Sequence, residues 1–134
     1  MSSAAAKNKR PKYLSLPAIA YQIRLPLPGR VSILHRISGA LLVMPFAAWA
    51  LYMLDVSLAS EAGFEAIKRY LELPLVKAGM LLFIWAYCHH LCAGIRYLTL
   101  DLNRGIELRA ARASAALVLV VSLALTAYFG WKLW

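Results

Sequence analysis

The chain has 134 residues, of which 62% are hydrophobic and 16% are charged, with a mean hydropathy of +0.64. A soluble domain of this size usually carries about 45–50% apolar and about 25% charged residues, so the composition excludes an ordinary soluble enzyme. The net charge of +9 does not indicate nucleic-acid binding, because basic stretches alternate with neutral ones along the chain.

Three runs free of Asp, Glu, Lys and Arg cover residues 37–54, 78–95 and 113–131, with lengths of 18, 18 and 19 residues. Crossing a hydrocarbon layer of about 30 Å takes about 20 apolar residues in a helix. We therefore expect an all-α integral membrane protein with three transmembrane helices, at about residues 31–55, 74–99 and 109–133. Three such helices cannot by themselves enclose a large active site of the kind found in soluble enzymes. Any chemistry therefore requires cofactors held between the helices, or partner subunits.

Residues 1–30 precede the first span and are predicted to form a cytoplasmic basic arm followed by a segment along the membrane surface. Their apolar stretches are interrupted by three prolines and are too short for a signal peptide, so we expect the first span to act as the insertion signal. Within that span, Pro45 removes one backbone donor and predicts a kink. After it, Phe64, Ile67 and Leu71 predict a short amphipathic helix on the outer interface.

The charges flanking the spans predict the orientation of the chain. Six basic residues and no acidic ones precede the first span: Lys7, Lys9, Arg10, Lys12, Arg24 and Arg30. The first loop is nearly neutral, with Asp55, Glu61, Glu65, Lys68, Arg69, Glu72 and Lys77. The second loop is basic, with Arg96, Arg104, Arg109 and Arg112 against Asp101 and Glu107. Because basic segments stay in the cytoplasm, the N-terminus and the second loop should be cytoplasmic.

In the second span, His90 is a candidate haem ligand. Ionisable side chains inside membrane helices are expensive and are functional candidates. Small residues, Ala86 and Gly94, lie four positions to either side of His90 on the same helical face, which gives the clearance that a flat macrocycle needs. A membrane-bound b-type haem commonly takes two histidines from different helices. Because His35 lies near the surface, the second ligand would come from another subunit. A histidine bonded across helices is the alternative.

Ser32 and Arg36 share one face at the cytoplasmic start of the first span. A hydroxyl donor beside a fixed cation can hold a quinone carbonyl and stabilise the negative charge that develops on reduction. His35, one position before Arg36, could pair with a haem propionate. The alternative is an arginine that simply extends to lipid phosphates.

The two cysteines, Cys88 and Cys92, lie four apart in the second span and point outward in parallel, which suits a disulfide poorly. We interpret them as buried thiols. Together with His89 and His90 they suggest a zinc or copper site, but one helix presents few of these groups to a single ion.

Two motifs carry a resemblance to a known family. Residues 32–39, Ser-Ile-Leu-His-Arg-Ile-Ser-Gly, resemble the S-x-L-H-R-x-S-G signature of the cytochrome b membrane-anchor subunit of succinate dehydrogenase. Residues 90–96, His-Leu-Cys-Ala-Gly-Ile-Arg, with Asp101 downstream, resemble its H-x-x-x-G-I-R signature. Residues 10–16 resemble its R-P-x-x-L-x-L opening, and residues 63–65 resemble part of its first loop. Tyr97 departs from the pattern, because many relatives have a further histidine there.

The resemblance implies a role for each matched residue. His90 would be an axial ligand of haem b, with the other ligand supplied by a companion small membrane subunit that completes the helical bundle. Ser32 and Arg36 would line the ubiquinone site, and His35 and Arg96 would meet the haem propionates. Asp101, at the cytoplasmic mouth, would belong to a proton route.

The resemblance also implies partners and a location. A flavoprotein subunit would oxidise succinate and an iron–sulfur subunit would pass the electrons to ubiquinone, so this chain would not be catalytic alone. It would lie in the bacterial cytoplasmic (inner) membrane as a multi-pass protein. The alternatives are the haem-containing anchor of a fumarate reductase, a cofactor-free membrane assembly or anchor protein, and a small metal transporter.

We predict that alkaline phosphatase, which folds only outside the cytoplasm, is active when fused after Trp134 and inactive when inserted at Gly105 in the second loop. We expect this result because the second loop has more basic than acidic residues, which keeps it in the cytoplasm. Green fluorescent protein at the same two positions should give the reverse pattern. A fluorescent fusion at Trp134 would overturn the proposed orientation.

Overall fold

The computed structural model describes residues 25–134, and that part of the chain is helical with no strand. The elements are α1 (Leu27–Leu41), a π-helical turn (Leu42–Phe46), α2 (Ala47–Ala59), α3 (Glu61–Leu71), α4 (Pro74–Asp101) and α5 (Leu108–Leu133). The first three form one continuous helix, Leu27–Ala59, so the described residues contain three helices long and apolar enough to cross a membrane. The all-α, three-span prediction is confirmed. The predicted arm and most of the surface segment, residues 1–24, lie outside the described residues.

The first helix begins at Leu27, four residues before the predicted start at Val31. Pro26 is the N-cap in an extended conformation, and Pro28 lies in the first turn. Proline is tolerated at these positions, because the first N–H groups of a helix have no intrahelical acceptor and the fixed φ already suits the helix. The two prolines therefore start the helix instead of holding the chain outside it.

The irregularity expected at Pro45 takes the form of the π-helical turn. Pro45 lies within Leu42–Phe46, and the backbone N–H of Ala47 bonds to the carbonyl of Leu42. Proline cannot donate to the residue four positions back, and its ring crowds that carbonyl. A π turn widens the helix locally and accommodates both effects, so the span continues on the far side.

The predicted amphipathic helix is confirmed as α3. Ser60 caps it by accepting a hydrogen bond from the Gly63 N–H at 3.0 Å. Its apolar residues Phe64 and Ile67 face Trp49 and Met53 of α2 across a shared cavity. The helix therefore folds back on the C-terminal end of the first span.

A tight turn joins α4 to α5. The N–H of Asn103 bonds to the Leu100 carbonyl at 2.9 Å, and the N–H of Arg104 bonds to the Thr99 carbonyl at 3.1 Å. This pair of bonds is a Schellman motif, with Asn103 in the left-handed region at φ 56°. The motif satisfies two carbonyls at the end of α4 and reverses the chain, so α5 packs antiparallel to α4.

Small residues fill the contacts among the spans. Val31 of α1, Ala93 of α4, and Ala115 and Val118 of α5 form one buried cluster. Membrane helices associate through close packing and interhelical hydrogen bonds, because lipid tails are as apolar as the side chains. Small side chains let the backbones approach, which brings the polar groups of α4 within reach of both neighbouring helices.

We predict that Gly63→Ala destabilises the protein by about 1–3 kcal/mol, the usual range for overpacking. The added Cβ would overlap the backbone carbonyl oxygen of Val56, which cannot turn away within α2. The measurement is the melting temperature of the purified protein. Gly79→Ala is the matched control, since a Cβ there meets open space. Equal effects of the two substitutions would contradict the prediction.

Candidate functional site

The imidazole of His90 lies between α4 and α1. Its Nδ1 is 3.1 Å from the backbone oxygen of His35 and 3.3 Å from Oγ of Ser38. The Ser38 hydroxyl itself donates to the His35 carbonyl at 2.9 Å. His90 is thus tied to one short stretch of α1 through both a carbonyl and a hydroxyl oxygen.

These contacts specify the protonation of the His90 ring. The His35 carbonyl can only accept, and the Ser38 proton is already directed to that carbonyl. The tautomer that satisfies these contacts has its proton on Nδ1, which then donates to the His35 carbonyl. In this tautomer Nε2 keeps a lone pair in the plane of the ring. Metal-binding histidines are usually oriented in this way, with the second nitrogen donating to a carbonyl or carboxylate.

Gly39 provides the space that the His90 ring occupies. A Cβ built on Gly39 would lie 2.8 Å from Cε1 of His90, closer than two carbons pack. Any larger residue at this position would displace the imidazole. Gly94, one turn after His90, differs from Gly39, because a Cβ there would lie 3.8 Å from Nε2 of His35, an ordinary van der Waals contact.

The rings of His35 and His90 are stacked. Their centroids are 4.1 Å apart and their planes differ by 13°. The ring of Tyr97 lies 5.1 Å from that of His35. The Nε2 lone pair of His90 lies in the plane of its ring, whereas His35 is stacked on the face of that ring. His35 therefore does not block access to Nε2. The oxygen of Tyr97 is buried and has no hydrogen-bond partner within residues 25–134.

His89 points about 100° round α4 from His90. Its side chain is fully buried, and Nδ1 lies 3.5 Å from Oγ of Ser122 on α5. The ring stacks on Trp85, one turn earlier, at 5.7 Å. Nε2 has no partner in the part of the chain that the structure describes. The ring also approaches the Val31 backbone of α1, so His89 lies where α1, α4 and α5 meet, whereas the hydrogen-bond contacts of His90 are to α1.

Arg96 also faces α5. Its Nε donates to Ser114 Oγ at 3.0 Å and one terminal nitrogen donates to the Ala111 carbonyl at 3.4 Å. The side chain is 6% exposed, and the guanidinium lies 5.4 Å from the ring of Tyr97. The contacts of Arg96 are thus made across the α4–α5 interface, whereas His35 and His90 meet at the α1–α4 interface.

Ser32 and Arg36 lie one turn apart near the N-terminal end of α1. Ser32 is half-buried and Arg36 is exposed, so both polar groups are accessible from that end of the bundle. The hydrogen bonds that join α1 to α4 within the described residues use His35 and Ser38 instead. Asp101, the last residue of α4, is exposed as well.

The structure thus brings together two of the five predicted site residues, His35 and His90. It adds Ser38 and Gly39, to which sequence reasoning assigned no role. Their signal was present in the S-G pair of the first motif, but only the crossing of α1 and α4 shows that both residues meet the His90 ring. Ser122 carried no such signal, because an isolated serine in an apolar helix is common.

The two cysteines are unpaired, and Cys88 is buried. Among residues 25–134, no three His, Cys, Asp or Glu side chains come close enough to hold a metal ion together. A metal bound by these residues would therefore take some of its ligands from elsewhere.

Comparison with known proteins identifies similar membrane subunits. The family described as "Succinate dehydrogenase/Fumarate reductase transmembrane subunit" matches residues 7–129. The succinate dehydrogenase cytochrome b556 subunit of Rickettsia typhi (strain ATCC VR-144 / Wilmington) is 33% identical over 124 residues, which cover 89% of each chain. The subunit of the same name from Rickettsia prowazekii (strain Madrid E) is 32% identical over 124 residues, again 89% of each chain.

Proposed function

We propose, from the premise that this chain belongs to the family of succinate dehydrogenase and fumarate reductase transmembrane subunits, that it is the haem b- and ubiquinone-binding anchor of a succinate dehydrogenase. The chain is a multi-pass membrane subunit of such a complex. The names of its relatives favour succinate oxidation over fumarate reduction, and they describe those relatives as cytochromes b556.

The observation that carries the proposal is the hydrogen bond from His90 Nδ1 to the His35 carbonyl. It fixes the tautomer that presents Nε2 as a ligand, and it holds the ring at the edge of the α1–α4 interface. The single imidazole matches a haem that takes one axial ligand from each of two subunits. The clearance at Gly39 supports the same role, because the ring could not reach this position beside a larger residue.

When bound, haem b would supply a one-electron redox site near the path of the electrons to ubiquinone. His90 would hold the iron, and Ser38 and the His35 carbonyl would keep its imidazole from rotating. His35 lies next to His90 and could donate from its ring to a propionate. A propionate contact by Arg96 remains a prediction, since its Nε and one terminal nitrogen already bind α5.

Ser32 and Arg36 would bind the ubiquinone headgroup at the cytoplasmic end of α1. The Ser32 hydroxyl would donate to one carbonyl oxygen, and the Arg36 cation would lower the energy of the negative charge that grows there during reduction. Both groups belong to the same turn as His35, so the quinone would lie within one helical turn of the haem-contacting residues. Asp101 is a candidate for proton supply at the same side of the membrane.

The remaining subunits follow from the same proposal. A flavoprotein would oxidise succinate, an iron–sulfur subunit would dock on the cytoplasmic face near Arg36, and a second small membrane subunit would supply the other haem ligand and complete the helical bundle. We place the complex in the bacterial cytoplasmic (inner) membrane, with the N-terminus of this chain in the cytoplasm, because its basic residues are concentrated on that side.

We predict that the assembled complex shows a b-type signal in a reduced-minus-oxidised absorption spectrum and that His90→Ala abolishes it. Gly39→Ala should lower haem affinity about tenfold or more, as changes around a metal-bound histidine commonly do. Gly79→Ala, in open space on the same helix as His90, is the control and should leave the spectrum unchanged. An intact signal in His90→Ala would refute the ligand assignment.

We further predict that Ser32→Ala and Arg36→Leu each lower kcat/KM for ubiquinone about 10- to 100-fold, the equivalent of one charge-assisted hydrogen bond. Succinate-dependent reduction of a water-soluble dye should stay normal, since that reaction takes place in the hydrophilic subunits. Arg112→Leu removes another exposed arginine near the same membrane surface and serves as the control. Unchanged ubiquinone kinetics in Arg36→Leu would exclude the proposed quinone contact.

A further inference from the structure

His89 is a buried ionisable residue to which the proposed function gives no task. Its side chain has no exposed surface, and it lies in the middle of a membrane-spanning helix. Such residues are rare in membrane helices and are kept where they make a specific contact. A phenylalanine would fill a similar volume and would bury no polar atom. His89, in contrast, buries Nε2, which has no hydrogen-bond partner within the described residues.

The contact of His89 is directional. The hydroxyl of Ser122 donates to the Leu119 carbonyl of its own helix at 3.2 Å, so its oxygen accepts the bond from His89 Nδ1. The ring also stacks on Trp85, which restricts its rotamer. Seven residues further along α4, Arg96 makes the second polar contact with α5. Residues seven apart lie on nearly the same face, so the two contacts together oppose rotation of α4 about its axis.

Rotation of α4 is what determines where His90 points. Successive side chains are about 100° apart around a helix, so His89 and His90 are fixed relative to one another. With a helix radius of about 5–6 Å including side chains, a turn of about 20° moves both rings by about 2 Å. Neither the 3.5 Å contact to Ser122 nor the 3.1 Å contact to the His35 carbonyl survives such a shift.

We propose that His89 is a positioning residue: through its hydrogen bond to Ser122 it fixes the rotation of α4 and thereby sets the plane of the His90 imidazole at the haem. This inference rests on the proposed function of His90. His89 lies against Ser122 of α5 and also approaches the Val31 backbone of α1, so its role is to orient α4 and not to bind the cofactor. It acts by coupling the α4–α5 interface to the α1–α4 interface across a single helix.

The experiment uses the assembled, detergent-purified complex and four variants. His89→Phe keeps a ring on Trp85 but removes the donor, and Ser122→Ala removes the acceptor. The double variant removes both. His89→Asn retains an N–H at the position of Nδ1. Ser57→Ala, which removes a hydroxyl that bonds only to its own helix at Leu54, is the matched control.

Two properties of the haem are measured in each variant. The first is the set of low-spin resonances in electron paramagnetic resonance, which report the relative angle of the axial imidazole planes. The second is the haem midpoint potential.

We expect His89→Phe and Ser122→Ala to retain haem and to shift both readouts in the same direction. The double variant should shift them no further than the larger single change, and His89→Asn and Ser57→Ala should match the wild type. Wild-type resonances and potential in His89→Phe, or additive shifts in the double variant, would overturn the inference while leaving His90 as the ligand. If His89→Phe fails to assemble, Ser122→Ala decides between the two outcomes, because it removes only one oxygen atom.

A failure of the proposed function has a different signature. In that case the wild-type complex lacks haem, or His90→Ala retains it, and the positioning role of His89 is refuted together with the ligand role of His90. Loss of haem in His90→Ala, combined with an unmoved signal in His89→Phe, refutes only the positioning role.

Discussion

The hydrogen bond between the His90 imidazole and the His35 carbonyl is the contact on which the rest of the arrangement depends. In a hydrocarbon environment no water can satisfy a buried ring N–H, so the donor has to find an acceptor inside the protein. A backbone carbonyl inside a helix can accept further bonds beside its helical one, and the His35 carbonyl is approached by both the Ser38 hydroxyl and the His90 ring. The contact with His90 ties α1 to α4 and leaves Nε2 as the free nitrogen.

Close approach of the backbones makes this bond feasible. Gly39 allows the ring to lie against α1, and the small residues around Ala93 and Ala115 bring α4 against α5. One interhelical hydrogen bond in a membrane protein contributes only about 0.6 kcal/mol on average. The polar contacts of α4 therefore matter more for its orientation than for its stability. Packing holds the three helices together, and the hydrogen bonds define how α4 is turned within the bundle.

The helix α4 has a different polar side chain for each neighbour. His90 meets α1 and Arg96 meets α5, while His89 contacts Ser122 of α5 and also approaches the Val31 backbone of α1. The opposite, exposed surfaces of the spans are apolar, as expected for contact with lipid or with another membrane subunit. A change at the α4–α5 interface can consequently reach the α1–α4 interface without any direct contact, because α4 moves as one rigid body. This mechanical link gives a role to a histidine that the family signatures do not include.

The sequence by itself determined the class of the protein, its number of spans and the identity of the principal ligand candidate. Length and charge are sufficient for the spans, because a hydrocarbon layer of fixed thickness admits only apolar helices of a certain length. Other features could be predicted only in outline: Pro45 indicated an irregularity but not a π turn, and Pro26 and Pro28 suggested a later helix start than the one observed.

Only the tertiary structure decided which face of each helix meets which neighbour. Helical periodicity places His89 and His90 about 100° apart, but it does not say which of them faces α1. That depends on how the small residues of three helices interlock, a long-range property that no local pattern encodes. For the same reason Ser38, Gly39 and Ser122 became meaningful only once their helices had been brought together, and Arg96 was found at α5.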